Sequence, residues 1–282
     1  MTRPVLLTLG HGYSAAALAA SLGPGWRRIG TIRTTARAAE LRAQGVEPVD
    51  WGDPAALEAA VAVASHVLVS APPDALGDPV LARLGGQLRR RGPDWVGYLS
   101  TTGVYGDRRG DWVDETGPLA PVSERGRWRV AAERAWAETG LPVEVFRLAG
   151  IYGPGRSVFD RLRAGRAQRV IKPGQVFSRI HVDDIAQALA ASMATPRPGE
   201  AWNLADDEPA APQDVLMFAA GLLGMDPPPE IAFEAAELGP MARSFWSESK
   251  RVCNRRLRET LGVALRHPDY RAGLRAVLAA GG

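Results

Sequence analysis

The first half of the chain alternates short apolar runs with stretches in which alanine and leucine recur at helical spacing. VLLTL, at Val5–Leu9, is a near-continuous apolar run that stops at a glycine, the pattern of a parallel strand buried on both faces. Further strands are expected at Arg28–Ile32, Val46–Asp50, His66–Ser70, Trp95–Ser100 and Val143–Leu148. Helices are expected at Ser14–Leu22, Thr35–Ala43, Pro54–Val63, Leu76–Arg90 and Ser123–Thr139, the last opened by a serine able to cap it. Strands and helices in turn argue for an α/β fold, a doubly wound parallel sheet covered on both faces.

The rhythm changes after Ile151. YGPGRS is turn-rich, Phe159–Ala167 reads as helix, and RVIKPGQVFSRI reads as two short strands around a Pro-Gly turn. Helices at His181–Ala194, Pro212–Leu223, Arg251–Leu261 and Tyr270–Ala280 follow, with a short strand at Trp202–Leu204. The expected division is a first domain over residues 1–153, to which 178–205 return, and a smaller C-terminal lobe from 154–177 and 206–282.

Composition narrows the classes. With 46% hydrophobic and 23% charged residues, the chain fits a soluble globular protein. Lys172 and Lys250 are the only lysines among 34 basic residues, and the arginines are scattered, Arg89–Arg91 being the longest run. No basic stripe or base-stacking module accompanies them, so no nucleic-acid partner is expected. The single cysteine, Cys253, allows no internal disulfide and fits a reducing compartment. The apolar run near the start is too short for a signal peptide, and no later run reaches membrane-spanning length. A soluble cytoplasmic protein with no membrane partner is therefore expected.

The strongest chemical signal is Gly10-x-Gly12-x-x-Ala15, directly after the first strand and opening the first helix. Gly10 permits the tight turn, Gly12 lets a pyrophosphate approach the backbone, and Ala15 lets helix and strand pack closely. The helix start at Tyr13 and Ser14 offers free N–H groups to phosphate oxygens. The alternative is a structural glycine turn serving another ligand. A site for NAD usually carries an acid at the end of the second strand, to bind the ribose diol. This chain reads TIRTTAR there, with Arg33 and Thr34 and no acid. A guanidinium and hydroxyls suit a 2′-phosphate, so NADP is preferred to NAD unless Arg33 is simply a solvated loop residue.

LGHGYSAA, LSTTGVYGD, FRLAGIYGPGR and RIHVDDIAQAL, in this order, resemble the short-chain dehydrogenase/reductase superfamily in its extended, sugar-nucleotide epimerase-like branch. WNLADDEPAAPQDV and SKRVCNRRLRETLG resemble that branch's second lobe, and the likeness is nearest to the atypical epimerase/dehydratase group. The resemblance implies an NAD(P)-binding Rossmann fold with a smaller substrate lobe. It implies that Gly10, Gly12 and Ala15 hold the pyrophosphate, that Asp50 lies near the adenine, and that Ser70, Ala71 and Pro72 run along the cofactor. Thr101 would be the catalytic hydroxyl with Thr102 beside it, and Gly150, Ile151 and Tyr152 would flank the nicotinamide. Related proteins commonly pair through the helices after strands four and five, so a homodimer is expected.

One stretch departs from the pattern. The superfamily opens the helix after VYG with Tyr-x-x-x-Lys, the tyrosine as general acid/base and the lysine as its activator and ribose ligand. Alignment of PVSERGRWRVAAE puts Arg125 at the tyrosine and Arg129 at the lysine. Arginine stays charged and cannot shuttle a proton near neutral pH, but it binds anions in a planar, two-pronged way. Arg129 is expected to keep the ribose or phosphate role, and Arg125 to meet a substrate anion or a nearby acid such as Glu115 or Asp114. Both arginines facing solvent is the alternative. Tyr105 and Tyr152 are candidate substitute acids, although the VYG tyrosine is usually structural in the family. His181, Asp183 and Asp184 fit a structural tie between lobes. His11, His66 and His267 stand isolated, so no metal site is expected, and no Ser-centred G-x-S-x-G occurs. Trp112, Trp128 and Trp136 fit helix packing or a dimer surface. Arg251 and Asn254 fit either a substrate contact or a cap on the last long helix. Two functions follow: an oxidoreductase or epimerase/dehydratase-like enzyme acting on a small, anionic substrate, or an NADP-binding sensor or scaffold without turnover.

Overall fold

The computed structural model describes residues 3–281. In chain order the first part holds β1 (Val5–Leu9), α1 (Tyr13–Ser21), β2 (Arg27–Ile32), α2 (Ala36–Ala43), β3 (Glu47–Asp50), α3 (Pro54–Val63), β4 (His66–Val69), α4 (Pro79–Arg91), β5 (Trp95–Thr101), β6 (Trp112–Val113), α5 (Glu124–Ala137) and β7 (Val143–Leu148). The second part holds β8 (Gly150–Tyr152), α6 (Val158–Arg163), β9 (Arg169–Ile171), β10 (Arg179–His181), α7 (Val182–Ala194), β11 (Ala201–Leu204), α8 (Pro212–Leu222), β12 (Glu230–Ala232), α9 (Pro240–Phe245), β13 (Arg251–Val252), α10 (Arg255–Glu259) and α11 (Tyr270–Ala279). Among the described residues, no helix is long and apolar enough to cross a membrane.

Seven strands form one parallel sheet in the order β3-β2-β1-β4-β5-β7-β11. All five residues of β1 are buried because the sheet is covered on both sides. Val5, Leu7 and Leu9 pack with Leu57 of α3, Leu84 of α4 and Trp136 of α5, while Leu6 packs with Leu18 of α1 and Ile185 and Leu189 of α7. The chain reverses its direction across the sheet between β1 and β4. In open α/β sheets, ligands bind outside the carboxyl ends of the strands at such a switch point.

Helix starts follow the caps the sequence offers. Asp53 accepts from Ala56 N–H at 3.0 Å, and Ser123 accepts from Gly126 N–H at 3.1 Å. Asp78 accepts from Val80 and Leu81, and Pro79 follows it, so α4 begins three residues later than the apolar pattern suggests. The second carboxylate oxygen of Asp78 accepts from the indole of Trp136 at 3.1 Å, tying α4 to α5. Trp136 is thus a core residue, whereas Trp112 is exposed.

The two short strands expected around Pro173-Gly174 form, and each pairs elsewhere in the chain: β9 with β12, and β10 with β8. The expected helix over Arg251–Leu261 begins as β13, paired with β6, and becomes helical only at Arg255. Arg251 and Val252 find parallel partners in Trp112 and Val113, and that tertiary pairing overrides local helix preference. A separate apolar cluster gathers Phe159, Leu162, Val215, Leu216, Tyr270 and Leu274, with Tyr152 of β8.

Candidate functional site

A cleft of about 2070 Å³ runs from the carboxyl ends of the sheet to residues of α6, α8 and α9. Gly12, Tyr13 and Ser14 line one end, with Ser70, Pro72, Thr101 and Thr102 beside them. Arg125, Trp128 and Arg129 of α5 line one wall, and Ala149–Tyr152 line another. Phe177 and Trp246 belong to the far end. Of the residues proposed from the sequence for cofactor or catalysis, Gly12, Tyr13, Ser14, Ser70, Pro72, Thr101, Arg125 and Arg129 line the cleft, whereas Gly10, Ala15, Arg33, Thr34, Asp50, Ala71 and Tyr105 do not.

The two glycines of the fingerprint do different work. Gly10 has φ +93°, where only glycine is comfortable, and a Cβ there would lie 2.8 Å from the backbone nitrogen of Ala71. Its N–H donates to Thr31 Oγ1 at 2.8 Å, and Ser70 Oγ donates to its carbonyl. Gly10 is a requirement of the fold. Gly12 is extended (φ −101°, ψ −165°), and a Cβ would meet no atom within 4 Å. Nothing inside the protein demands glycine there; the space in front of it is room for a ligand. Gly12 caps α1 without a side chain, so the first-turn amides lack a side-chain acceptor. Ala15 is buried against the sheet, as the close helix–strand contact requires. These residues fit a dinucleotide's diphosphate, with amides directed at the anion and a cradle that a side chain would fill.

Past β2, Arg33 and Thr34 are exposed, and no acid stands at that strand end. Arg37, four residues on, pairs with Glu40 at 3.5 Å. Asp50 is exposed at the end of β3, and its Oδ1 accepts from Gly52 N–H at 2.7 Å.

Thr101 ends β5 and opens a short 3-10 turn. Its Oγ1 accepts from Gly103 N–H at 3.1 Å, which leaves the hydroxyl proton available to the cleft. Arg125 and Arg129 share one face of α5, as their spacing requires. Arg129 is anchored: its Nη1 donates to Leu99 O at 2.6 Å and to the Tyr98 hydroxyl at 3.1 Å, and its guanidinium lies 5.6 Å from the Tyr98 ring centre. Arg125 is exposed and has no acidic partner among the described residues. Asp114 and Glu115, the acids expected beside it, are engaged elsewhere. Asp114 accepts from the Thr116 N–H and hydroxyl, and Glu115 accepts from Asn203 N–H at 2.8 Å.

Tyr105 is removed as a substitute acid. It is fully buried and absent from the cleft walls. Its hydroxyl donates to Asn203 Oδ1 at 2.7 Å and accepts from Arg147 Nη1 at 2.9 Å. Burial pushes its pKa up to about 12. Tyr152 lines the cleft, but its ring stands edge-on to His181 and burial pushes its hydroxyl well above the ordinary value.

Behind the wall lies a network that the sequence reading missed. Ser100, on the cleft wall, donates to Glu133, and Glu133 forms a buried two-pronged ion pair with Arg147 at 2.9 Å. Glu133 continues the Arg125–Arg129 face of α5 by one more step of four. The available signal was an arginine inside an otherwise apolar strand, since Arg147 occupies the middle of VEVFRL. A buried cation of that kind demands a partner.

Of the histidines expected to stand isolated, His267 does not. His267 lies against His181, with ring centres 3.9 Å apart, and Asp183 approaches both at 3.5–3.6 Å. Two imidazoles sharing one zinc ion at about 2.0–2.1 Å would hold their ring centres roughly 5 Å apart. This pair is packed ring against ring at 3.9 Å with the planes tilted by 48°, and the cluster is better understood as a tie. Asp184 accepts from the N–H groups of Arg266 and His267, at 2.6 and 3.1 Å, and His181 Nδ1 accepts from Asp183 N–H. Asn254 donates to Ala205 O and Asp207, and so joins α10 to the end of β11.

His11, between the two glycines, is buried against Gly30 and bonded to Thr8 Oγ1 at 2.7 Å. Burial, with Arg37 adding to it, lowers its pKa from 6.5 to about 4. A folded-state pKa depressed in this way gives stability that is complete above about pH 6.5 and lost as pH falls through about 4. His11→Asn is expected to flatten that part of the pH–stability profile, leaving the share due to His181, whose pKa burial also lowers to about 4. Urea melts at pH 7 and pH 4.5 check it; an unchanged slope contradicts it.

The switch-point cleft and its split glycines define a class. The chain belongs to the NAD dependent epimerase/dehydratase family, whose model matches residues 5–205. Across 176 residues it is 30% identical to the protein YeeZ of Escherichia coli (strain K12), a match covering 61% of this chain and 58% of YeeZ. A functionally unknown conserved protein from Silicibacter pomeroyi DSS is 55% identical in sequence and superposes with a TM-score of 0.93, covering 98% of this chain and 99% of that one. UDP-glucuronic acid 4-epimerase from Bacillus cereus, solved with UDP-glucuronic acid and NAD, shares the fold at 17% identity, with a TM-score of 0.78 and 98% of each chain covered.

Proposed function

We propose that this protein is an NAD(P)-dependent oxidoreductase or epimerase/dehydratase-like enzyme that binds a small anionic substrate between Thr101 and Arg125, with NADP preferred to NAD. The carrying observation is that Gly12, with open space in front of it, and Arg125, with no acid among the described residues to neutralise it, face the same cleft. When bound, the nicotinamide cofactor supplies or accepts a hydride. The amides of the α1 start hold its diphosphate, and Arg33 and Thr34 suit a 2′-phosphate. Arg129, fixed by Leu99 and Tyr98, turns its remaining N–H groups to a ribose or phosphate.

In the epimerase-like alignment Arg125 stands where a phenol would. A permanent guanidinium cannot give up a proton, but it stabilises negative charge on a substrate carboxylate or on a reacting oxygen. The proton then travels by way of the Thr101 hydroxyl and water, or within the substrate. The reading includes a cytoplasmic, homodimeric protein with no nucleic-acid partner.

The test is an NADPH and NADH fluorescence titration, followed by turnover on a panel of carbonyl acids and sugar nucleotides. NADPH is expected to bind more tightly, and Arg125→Gln to raise KM for acidic substrates by about tenfold or more. Failure to bind either dinucleotide overturns the reading.

A non-catalytic NADP sensor or scaffold is the second reading. It is favoured by the state of the nearby phenols, Tyr105 being sealed in the core and Tyr98 holding Arg129. Dinucleotide binding with no turnover across the panel, unaltered by Arg125→Tyr, decides for it.

A further inference from the structure

We infer that Arg156, carried by the turn after β8, clamps the cofactor's diphosphate from the side facing the first turn of α1. The inference rests on the dinucleotide reading above and adds a ligand that the glycine fingerprint does not contain. Arg156 belongs to the turn Gly153-Pro154-Gly155-Arg156, whose end residues exchange backbone hydrogen bonds at 3.0 and 3.2 Å. The next residue, Ser157, caps α6 in a reciprocal box with Asp160. The arginine therefore projects from a segment fixed on both sides.

The turn is docked on α1 itself. The hydroxyl of Tyr13, the first residue of α1, donates to Pro154 O at 2.9 Å. A Cβ on Gly153 would come within 2.5 Å of that hydroxyl, so the close approach depends on glycine. The Arg156 guanidinium lies 5.9 Å from the Tyr13 ring centre and lines the cleft together with Gly12 and Ser14. Arg156 has no carboxylate within ion-pair distance among the described residues. The result is a free planar cation beside the unfilled amides of a helix start. Two sources of positive potential then converge on one place, and a guanidinium binds paired phosphate oxygens in two-pronged fashion.

The experiment measures ADP-ribose, NADPH and NADH binding by calorimetry to the wild type, Arg156→Gln and Arg156→Lys. ADP-ribose contains the diphosphate but lacks the nicotinamide, so it isolates the proposed contact. Arg156→Gln is expected to weaken all three ligands by a common factor of about 10–100, Arg156→Lys by less, with melting temperature preserved because the side chain is exposed. Wild-type binding of ADP-ribose that Arg156→Gln leaves unchanged overturns the clamp alone. A wild type that binds none of the three ligands overturns the dinucleotide reading and the clamp with it.

Discussion

Gly12→Val is expected to weaken NADPH and NADH binding by at least about 100-fold while leaving the melting temperature close to that of the wild type. The backbone at Gly12 is extended, a conformation valine adopts readily, and no protein atom lies within 4 Å of the added Cβ. The new side chain would instead occupy the space a diphosphate needs against the α1 amides. Gly10→Ala should behave in the opposite way. Its φ of +93° and the Ala71 backbone 2.8 Å from a Cβ make the substitution strained in the folded state, so stability falls whether or not ligand is present. Fluorescence titration beside thermal melts separates the two. A Gly12→Val protein that binds either dinucleotide normally contradicts the assignment of this turn to a diphosphate.

The second large effect belongs to the hidden network. Glu133→Ala is expected to cost about 3–5 kcal/mol of folding stability, because it leaves Arg147 buried without its counter-charge. Arg147 keeps its bonds to the Tyr105 hydroxyl and Glu115 O, but neither carries the opposite charge. The Ser100 hydroxyl also loses its acceptor. By comparison, Arg33→Ala, at an exposed position, should lie within about 0.5 kcal/mol of the wild type. Urea denaturation at pH 7 provides the measurement. A Glu133→Ala cost similar to that of Arg33→Ala contradicts the role given to the ion pair.

The elements most legible in the sequence are those whose signal is local. Val5–Leu9 and Pro54–Val63 read true to the residue, the first because a buried parallel strand is apolar throughout, the second because Asp53 and Pro54 mark the helix start. The fingerprint was legible for the same reason, since strand, turn and helix are consecutive. What escaped depends on partners far along the chain. Arg251 and Val252 are a strand only because Trp112 and Val113 pair with them, and His267 meets His181 only after α7 and α11 are placed. The fate of Tyr105 was decided by Asn203 and Arg147, neither of which its own motif contains. Arg125 was legible as an oddity of charge, but its freedom from Asp114 and Glu115 required the fold.

The most direct measurement is a crystal structure of the protein grown with NADP⁺ in excess. The expected result is the diphosphate on the Gly12–Ala15 amides, the 2′-phosphate beside Arg33 and Thr34, and the nicotinamide between Thr101 and the 150–152 segment, in front of Arg125. A dinucleotide bound elsewhere, or crystals in which that turn holds none, contradicts it.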